Sequence, residues 1–297
     1  MAAGSTIWRR PAATGGSIAA ATTALFVLVA SRDGAAATIG TQVAGIGEAR
    51  RGSVTVKIAP PVAGVIVSGA RAAGRPIVVI DPGHGGRDPG AVAVSGGVAE
   101  KDLTLALARE LRDRLVERGR VRVAMTRDSD RYLTLEQRAG LARGLGASLF
   151  LSLHMDSAPN PLARGASVYS LSDVASDAEA ARFAHAQNVG GVAGVTDGSV
   201  RSMLSDLALR SQMSASAELA SRLVRKTAWR VALRPEPHRF ATFHVLRRAE
   251  APAVLFESGY LSNADDEALL RSPEYRAAIV AGLAETIEAD VAARSRR

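Results

Sequence analysis

The chain has 297 residues, 47% of them hydrophobic and 22% charged, which is enough for one good-sized domain with extensions. It contains no cysteine, which excludes disulfide frameworks, thiolate zinc sites and cysteine nucleophiles. The net charge of +8 suits nucleic acid, a membrane surface or an acidic wall polymer, although an arginine-rich genome would give the same value. Aromatic residues make up only 4%, which argues against a stacking platform for single-stranded nucleic acid.

The first 37 residues have the three-part layout of a secretory signal peptide. The basic pair Arg9-Arg10 precedes an apolar stretch at residues 18–30. Three alanines at 35–37 are small residues typical of a signal-peptide cleavage site. The apolar stretch is short for a membrane span. We therefore predict export to the periplasm or cell-wall space, with no stable membrane insertion after cleavage. An uncleaved anchor and twin-arginine export remain alternatives.

Residues 38–75 are predicted to form a linker or a short decorating segment, with one strand-like run at 54–58. They are too few for an independent domain. The compact domain is predicted to occupy residues 76–297.

Within this domain, strand and helix patterns alternate. Short apolar runs at 76–81, 121–126 and 148–153 predict strands, and leucines four residues apart from Leu103 to Leu115 predict the first helix. A second helix is predicted at 135–145. This alternation predicts an α/β fold whose mostly parallel sheet is flanked by helices.

The second half of the domain is predicted to contain a helical insertion before the last strands. After a strand at 165–171, residues 172–242 show almost no strand pattern. Short strands and a terminal helix are predicted to complete the domain. The predicted helices lie at 178–188, 200–213, 215–231 and 273–293, and the last strands at 243–246 and 253–256.

Ionisable side chains follow three of the apolar strands. His84 lies in a glycine-rich turn, His154 ends a second strand and Glu257 ends a third. Sheets of this kind place their functional sites at the carboxyl ends of the strands. With Glu100 at the start of a helix as third ligand, the two histidines suit a catalytic zinc site, and Glu257 suits a proton acceptor. Each residue alone has a plainer interpretation, as a buried histidine or a helix cap, but together they favour Zn²⁺.

The motifs around these residues resemble one known family, the zinc-dependent N-acetylmuramoyl-L-alanine amidases of the Amidase_3 type. The resemblance extends from about residue 76 to residue 293. It rests on the segments IDPGHGGRDPGA at 80–91, EKDL at 100–103, TRD at 126–128, SLHMDS at 152–157 and ESGYLSN at 257–263.

The resemblance implies a sheet of about six strands, zinc held by His84, Glu100 and His154, and Glu257 as the catalytic carboxylate. It also implies cleavage of the amide between the lactyl group of N-acetylmuramic acid and L-alanine of peptidoglycan, in cell separation or wall turnover. A non-catalytic wall-binding or regulatory protein on the same fold is the alternative, but it would not need Glu257. A nucleic-acid binder is not supported, because no basic helix or aromatic platform is present.

The insertion at 172–242 has a possible regulatory role. Its apolar face consists of Val200, Met203, Leu204 and Leu207. In the cell-division amidases that this chain resembles, a helix in the matching region covers the zinc site, and an activator with a LytM-type domain displaces it. Gln187 occupies a position where some relatives have a blocking glutamate. A permanently docked helix that only widens the core is the alternative.

Overall fold

The computed structural model describes residues 26–29, 37–41, 53–56, 65–69, 74–189 and 200–296, and it describes side chains from residue 65 onward except at 200–205. The chain divides into two units, Met1–Pro60 and Pro61–Arg297. In the first unit, strands β1 (Phe26–Val29), β2 (Ala37–Thr41) and β3 (Ser53–Val56) form an antiparallel sheet. Most of the predicted signal peptide lies outside the described residues, so it stays a prediction.

A mixed seven-stranded sheet forms the centre of the second unit. Its order is β4-β6-β5-β7-β10-β8-β9, and the four neighbouring strands β6, β5, β7 and β10 are parallel. The α/β prediction is confirmed, with seven strands where about six were expected. The strands are β4 (Val67–Gly69), β5 (Ile77–Pro82), β6 (Arg122–Met125), β7 (Leu149–Asp156), β8 (Ala166–Leu171), β9 (Leu233–Ala241) and β10 (Ala253–Tyr260).

Helices cover both faces of this sheet, and local sequence signals set their ends. Helix α1 ends where Gly119 adopts a left-handed conformation with φ 67°, and α2 begins with a capping box between Thr134 and Gln137. The helices are α1 (Glu100–Arg118), α2 (Leu135–Gly144), α3 (Ala178–Gln187), α4 (Val200–Thr227), α5 (His244–Arg247), α6 (Ala264–Arg271) and α7 (Pro273–Arg294). None of the helices in the described residues is long and apolar enough to cross a membrane.

Two hydrophobic cores lie on opposite faces of the sheet. Strand β5 alternates between them, because Val78 and Ile80 belong to the core with α1 and α7, whereas Val79 faces the core with α2 and α3. Helix α4 contacts both: Leu219 lies in the first core and Met213 packs against the second. This burial on both faces explains why the central strands are continuously apolar in sequence.

Three sequence predictions in the second half of the domain were wrong. The helices predicted at 200–213 and 215–231 are one 28-residue helix, α4. Residues 243–246 are not a strand, because Asn188 accepts a hydrogen bond from the backbone N–H of His244 and favours the short helix α5. Strand β9 was missed because Pro235 and Pro237 argue against a strand. It tolerates them because it is an edge strand.

The contact between α4 and α7 generates a stability prediction. A Cβ atom on Gly282 would lie 2.8 Å from Cγ2 of the fully buried Thr227, whereas one on Gly140 of α2 would meet only a guanidinium nitrogen at 3.6 Å. We expect Gly282→Ala to lower the free energy of unfolding by about 1–3 kcal/mol through overpacking. Gly140→Ala should raise it by about 0.5–1 kcal/mol, because alanine favours the helix. Chemical denaturation would measure both, and a stabilised Gly282→Ala variant would contradict close packing of the two helices.

Candidate active site

The candidate site lies where three neighbouring parallel strands end. Pro82 at the end of β5 pairs with Leu153 of β7, and His154 of β7 pairs with Glu257 of β10. His84 follows β5 by two residues. The register therefore brings the three predicted strand-end residues to one edge of the sheet.

His84, Glu100 and His154 converge as the sequence predicted. One potential ligand atom from each lies within 4.8 Å of the others, which makes the group a possible metal site. Oε2 of Glu100 lies 3.0 Å from Nε2 of His84, and its Oε1 lies 3.0 Å from Nδ1 of His154. The two imidazole rings meet edge to face, with their centroids 4.9 Å apart.

Backbone amides fix the carboxylate of Glu100 in this position. Its Oε1 accepts a hydrogen bond from the N–H of Met155 and its Oε2 accepts one from Ala91. Burial alone would raise the pKa of Glu100, but the close imidazole groups of His154 and His84 outweigh it and hold the pKa below its ordinary value. Glu100 is therefore a charged, oriented ligand before any metal binds.

His84 is held by a strained backbone and by an acidic neighbour. Its φ of 58° lies in the left-handed region, which is uncommon for a residue with a side chain. Its Nδ1 donates a hydrogen bond to Oδ2 of Asp88 at 2.9 Å. This bond directs Nε2 towards Glu100 and His154.

Two glycines make room for these side chains. A Cβ atom on Gly83 would lie 2.4–2.6 Å from three ring atoms of His154. A Cβ atom on Gly90 would lie 2.5 Å from Oε2 of Glu100 and 2.7 Å from Cδ2 of His84. The glycines of the motif at 80–91 therefore allow the side chains of His84, Glu100 and His154 to approach the backbone closely, in addition to permitting the turn.

Arg138 ties the loop after β5 to the core. It is 4% exposed, and it donates hydrogen bonds to Oδ1 of Asp81 at 2.8 Å and to the carbonyl oxygens of Pro82 at 2.7 Å and His84 at 2.6 Å. The carboxylate of Asp81 also accepts from Thr126 and Ser152. These contacts give Arg138 a structural role in holding this loop.

Arg127 holds the same loop from the other side and is fully buried. It donates to the carbonyl oxygens of Pro82 at 3.1 Å, Gly83 at 2.7 Å and Lys101 at 2.9 Å. Burial and the nearby charge of Arg138 lower the pKa of Arg127 to about 10, so it stays charged at neutral pH. The sequence predicted no role for this residue, although it lies in the TRD motif at 126–128.

Glu257 is also fully buried, but neither of its carboxylate oxygens has a hydrogen-bond partner among the described residues. Burial, with the nearby charges of Asp156 and Glu100, raises its pKa well above the ordinary value. Burial also raises the pKa of Asp156 to about 6. A buried carboxyl group without partners beside a possible metal site is a candidate for proton transfer.

A cavity of about 300 Å³ adjoins His84 and His154. Its polar lining includes Arg138, and the end of α3 contributes Gln187 and the residues beside it. A second cavity of about 770 Å³ extends from Asp156 to Tyr260 and is lined by three arginines. The arginines are Arg164, Arg182 and Arg234.

The predicted regulatory residues are only partly described. Val200, Met203 and Leu204 lie at the start of α4, but their side chains are outside the described residues. The side chain of Leu207 is 65% exposed. The occlusion of the site by this helix therefore stays a prediction, whereas the end of α3, with Gln187, lines the cavity beside the site.

Comparison with known proteins assigns the family. The sequence profile of Amidase_3, described as N-acetylmuramoyl-L-alanine amidase, matches residues 78–289. The chain belongs to this amidase family.

Individual amidases show the same relationship. AmiA of Escherichia coli K12 is 34% identical over 223 residues, which cover 73% of this chain and 76% of AmiA. AmiC of Neisseria meningitidis is 33% identical over 219 residues, which cover 72% of this chain and 52% of AmiC, so the chain spans about half of that relative. The catalytic domain of CwlV from Bacillus (Paenibacillus) polymyxa var. colistinus superposes with a TM-score of 0.53 at 28% identity, covering 71% of this chain and 96% of that domain.

The packing of Gly83 in this amidase domain can be tested through metal affinity. Gly83→Ala should displace the His154 ring and weaken zinc binding by about 10–100-fold, the usual effect of losing a supporting contact at a metal site. Isothermal titration with Zn²⁺ would measure this. Gly144→Ala is the control, because a Cβ atom there meets nothing within 4 Å. Unchanged affinity in Gly83→Ala would show that His154 does not depend on that glycine.

Proposed function

We propose that this chain is an exported, zinc-dependent N-acetylmuramoyl-L-alanine amidase. Its substrate is peptidoglycan, and it hydrolyses the amide between the lactyl group of N-acetylmuramic acid and L-alanine during cell separation or wall turnover. The observation that carries the proposal is the convergence of His84, Glu100 and His154 within 4.8 Å, beside the buried Glu257. Membership of the amidase family supports the reaction class.

The three side chains fit a catalytic zinc ion. Two histidines and one glutamate make up a known donor set for zinc hydrolases, and they leave a coordination position open. In the neutral form of His84, donation from Nδ1 to Asp88 leaves the lone pair of Nε2 available to a metal. That nitrogen is buried and makes no well-formed hydrogen bond among the described residues, although Glu100 lies 3.0 Å away. An unpaired ligand nitrogen facing a fixed carboxylate supports a metal there.

Glu257 supplies the proton transfer that the reaction needs. A bound zinc ion contributes Lewis acidity towards the scissile carbonyl and the attacking water. Glu257 accepts a proton from that water and passes it to the leaving amine of L-alanine, so the products are a carboxyl group and a free amine. Its raised pKa suits a group that must both take up and release a proton.

We also propose that a partner controls access to the site. A protein with a LytM-type domain, acting on the apolar face from Val200 to Leu207, remains the expected partner. The exposure of Leu207 supports an available surface at this face. Gln187 lines the cavity beside the two histidines, but a neutral amide is a weaker zinc ligand than a carboxylate. Closure at this position therefore depends on packing more than on coordination.

The reaction can be tested on purified muropeptides. We expect release of stem peptides that begin with L-alanine, together with intact N-acetylmuramic acid, as identified by mass spectrometry. Chelation should abolish the release and added zinc should restore it. Binding to peptidoglycan without any cleavage would instead support the non-catalytic alternative.

The role of Glu257 can be tested by replacing it with glutamine. Glu257→Gln preserves the shape but cannot accept a proton, so turnover should fall by roughly 10²–10⁴-fold while zinc content stays unchanged. Stopped assays and atomic absorption would measure the two quantities. Glu267→Gln is the matched control, because Glu267 is also buried but bonds Ser95. Near-normal turnover in Glu257→Gln would assign the proton transfer to another group.

A further inference from the structure

A second charged feature lies at the opposite edge of the sheet from the candidate active site. A cavity of about 660 Å³ opens there, between Pro76 just before β5, Val121 just before β6 and the end of α7. Because β5 and β6 are parallel, this edge carries the amino ends of the central strands. We call this surface the basal face and define it by Arg75, Arg120, Lys226, Trp229 and Arg296.

The basal face carries a net excess of positive charge. Arg118 and Arg120 share one carboxylate, that of Glu288, at 2.8 and 3.1 Å. Among the described residues no acidic partner is found for three exposed cations that line the cavity. The three are Arg75, Lys226 and Arg296. Such a cluster attracts anions without being neutralised by the protein itself.

An exposed tryptophan is linked to the same cavity through its neighbour Arg230. Trp229 is 69% exposed, and the guanidinium of Arg230 stacks on its ring at 3.6 Å from the centroid. Arg230 in turn pairs at 2.8 Å with Glu285, which lines the cavity. Lys226, another lining residue, precedes Trp229 by three positions at the end of α4. The indole is thus connected, through Arg230 and Glu285, to the cavity that the cations line.

We propose that the basal face binds the surface of a bilayer that contains anionic phospholipids. Lysine and arginine near such a surface are attracted to the lipid phosphates, and an exposed tryptophan is most stable at the level of the headgroups. A soluble polyanion would satisfy the cations equally well. It would leave the indole in water, however, and for this reason the exposed Trp229 favours the bilayer.

This surface would give the domain a useful orientation, an argument that rests on the proposed function. The catalytic residues lie at the carboxyl ends of the parallel strands and the basal face at their amino ends. Six residues of β5 separate these edges by about 20 Å. A domain bound through the basal face would turn its candidate active site away from the bilayer and towards the wall polymer.

Vesicle binding by the mature chain, residues 38–297 after removal of the predicted signal peptide, tests the proposal. Vesicles of phosphatidylglycerol and phosphatidylcholine should sediment the protein, and vesicles of phosphatidylcholine alone should not. Lys226→Glu should weaken the binding by about tenfold or more, since each basic side chain near an anionic surface contributes substantially. Arg210→Glu is the matched control: it lies on the same helix, is exposed, and sits about 24 Å from Lys226 by helical rise, so binding should be nearly unchanged.

Tryptophan fluorescence tests whether Trp229 contacts the bilayer. Of the two tryptophans, Trp8 lies in the predicted signal peptide, so the emission of the mature chain reports Trp229 alone. We expect a blue shift with anionic vesicles, and not with a soluble polyphosphate. Sedimentation without that shift, equal binding to neutral vesicles, or equal weakening by Lys226→Glu and Arg210→Glu would each overturn the proposal. A shift with polyphosphate and none with vesicles would replace it with a polyanion site.

The membrane-binding proposal and the proposed reaction can be contradicted by different results. Lys226→Glu should retain hydrolysis of soluble muropeptides, because the basal face is remote from the candidate site. A chain that binds anionic vesicles through Trp229 but releases no peptide would sink only the proposed reaction.

Discussion

Two buried guanidinium groups hold the loop on which the candidate site depends. Arg127 and Arg138 donate hydrogen bonds to the carbonyl oxygens of Pro82, Gly83 and His84, just where β5 ends and the sheet no longer supplies partners. A buried carbonyl without a partner costs about 1–3 kcal/mol. Because both arginines bind several of these oxygens at once, the loop has one well-satisfied conformation, and the positive φ of His84 is tolerated within it.

The carboxylate of Glu100 joins this loop to the neighbouring strand. It accepts hydrogen bonds from Ala91 in the segment after His84 and from Met155 next to His154, and it faces both histidines. Glu100 is also the first residue of α1, where the helix dipole favours a negative charge. Strand register places the histidines approximately, and this one side chain then sets their separation. Gly83 and Gly90 permit that separation because neither adds a Cβ atom to the crowded space.

The central strands and the site could be predicted from the sequence because their signals are local. Buried parallel strands are continuous apolar runs, and the residue that ends each run lies at the edge where sites form. The insertion was harder, because tertiary contacts decide its structure. Strand β9 contains two prolines and pairs with β8 alone among the strands of the described sheet, and α4 continues through residue 214 because Met213 and Leu219, on either side of it, pack on different cores. The burial of Arg127 also has no local signal, since an arginine in a polar motif is ordinarily exposed.

Two buried carboxyl groups show how the fold separates structural roles from chemical ones. Asp81 is 1% exposed and bonds Arg138, Thr126 and Ser152, and these partners outweigh burial and hold its pKa below the ordinary value. Glu257 is equally buried on a nearby strand, yet it has no partner among the described residues and its pKa is raised.

The pKa values of Asp81 and Glu257 differ because Asp81 has hydrogen-bond partners and Glu257 has none among the described residues. A fold selected for stability alone would pair Glu257 or replace it with an apolar residue, because burying an unpaired acid is costly. Its position is instead fixed by the pairing of β10 with β7, which sets it beside His154. The site therefore gives up stability at Glu257, and the arginine-bound loop and the two cores supply the rigidity that keeps this acid in place.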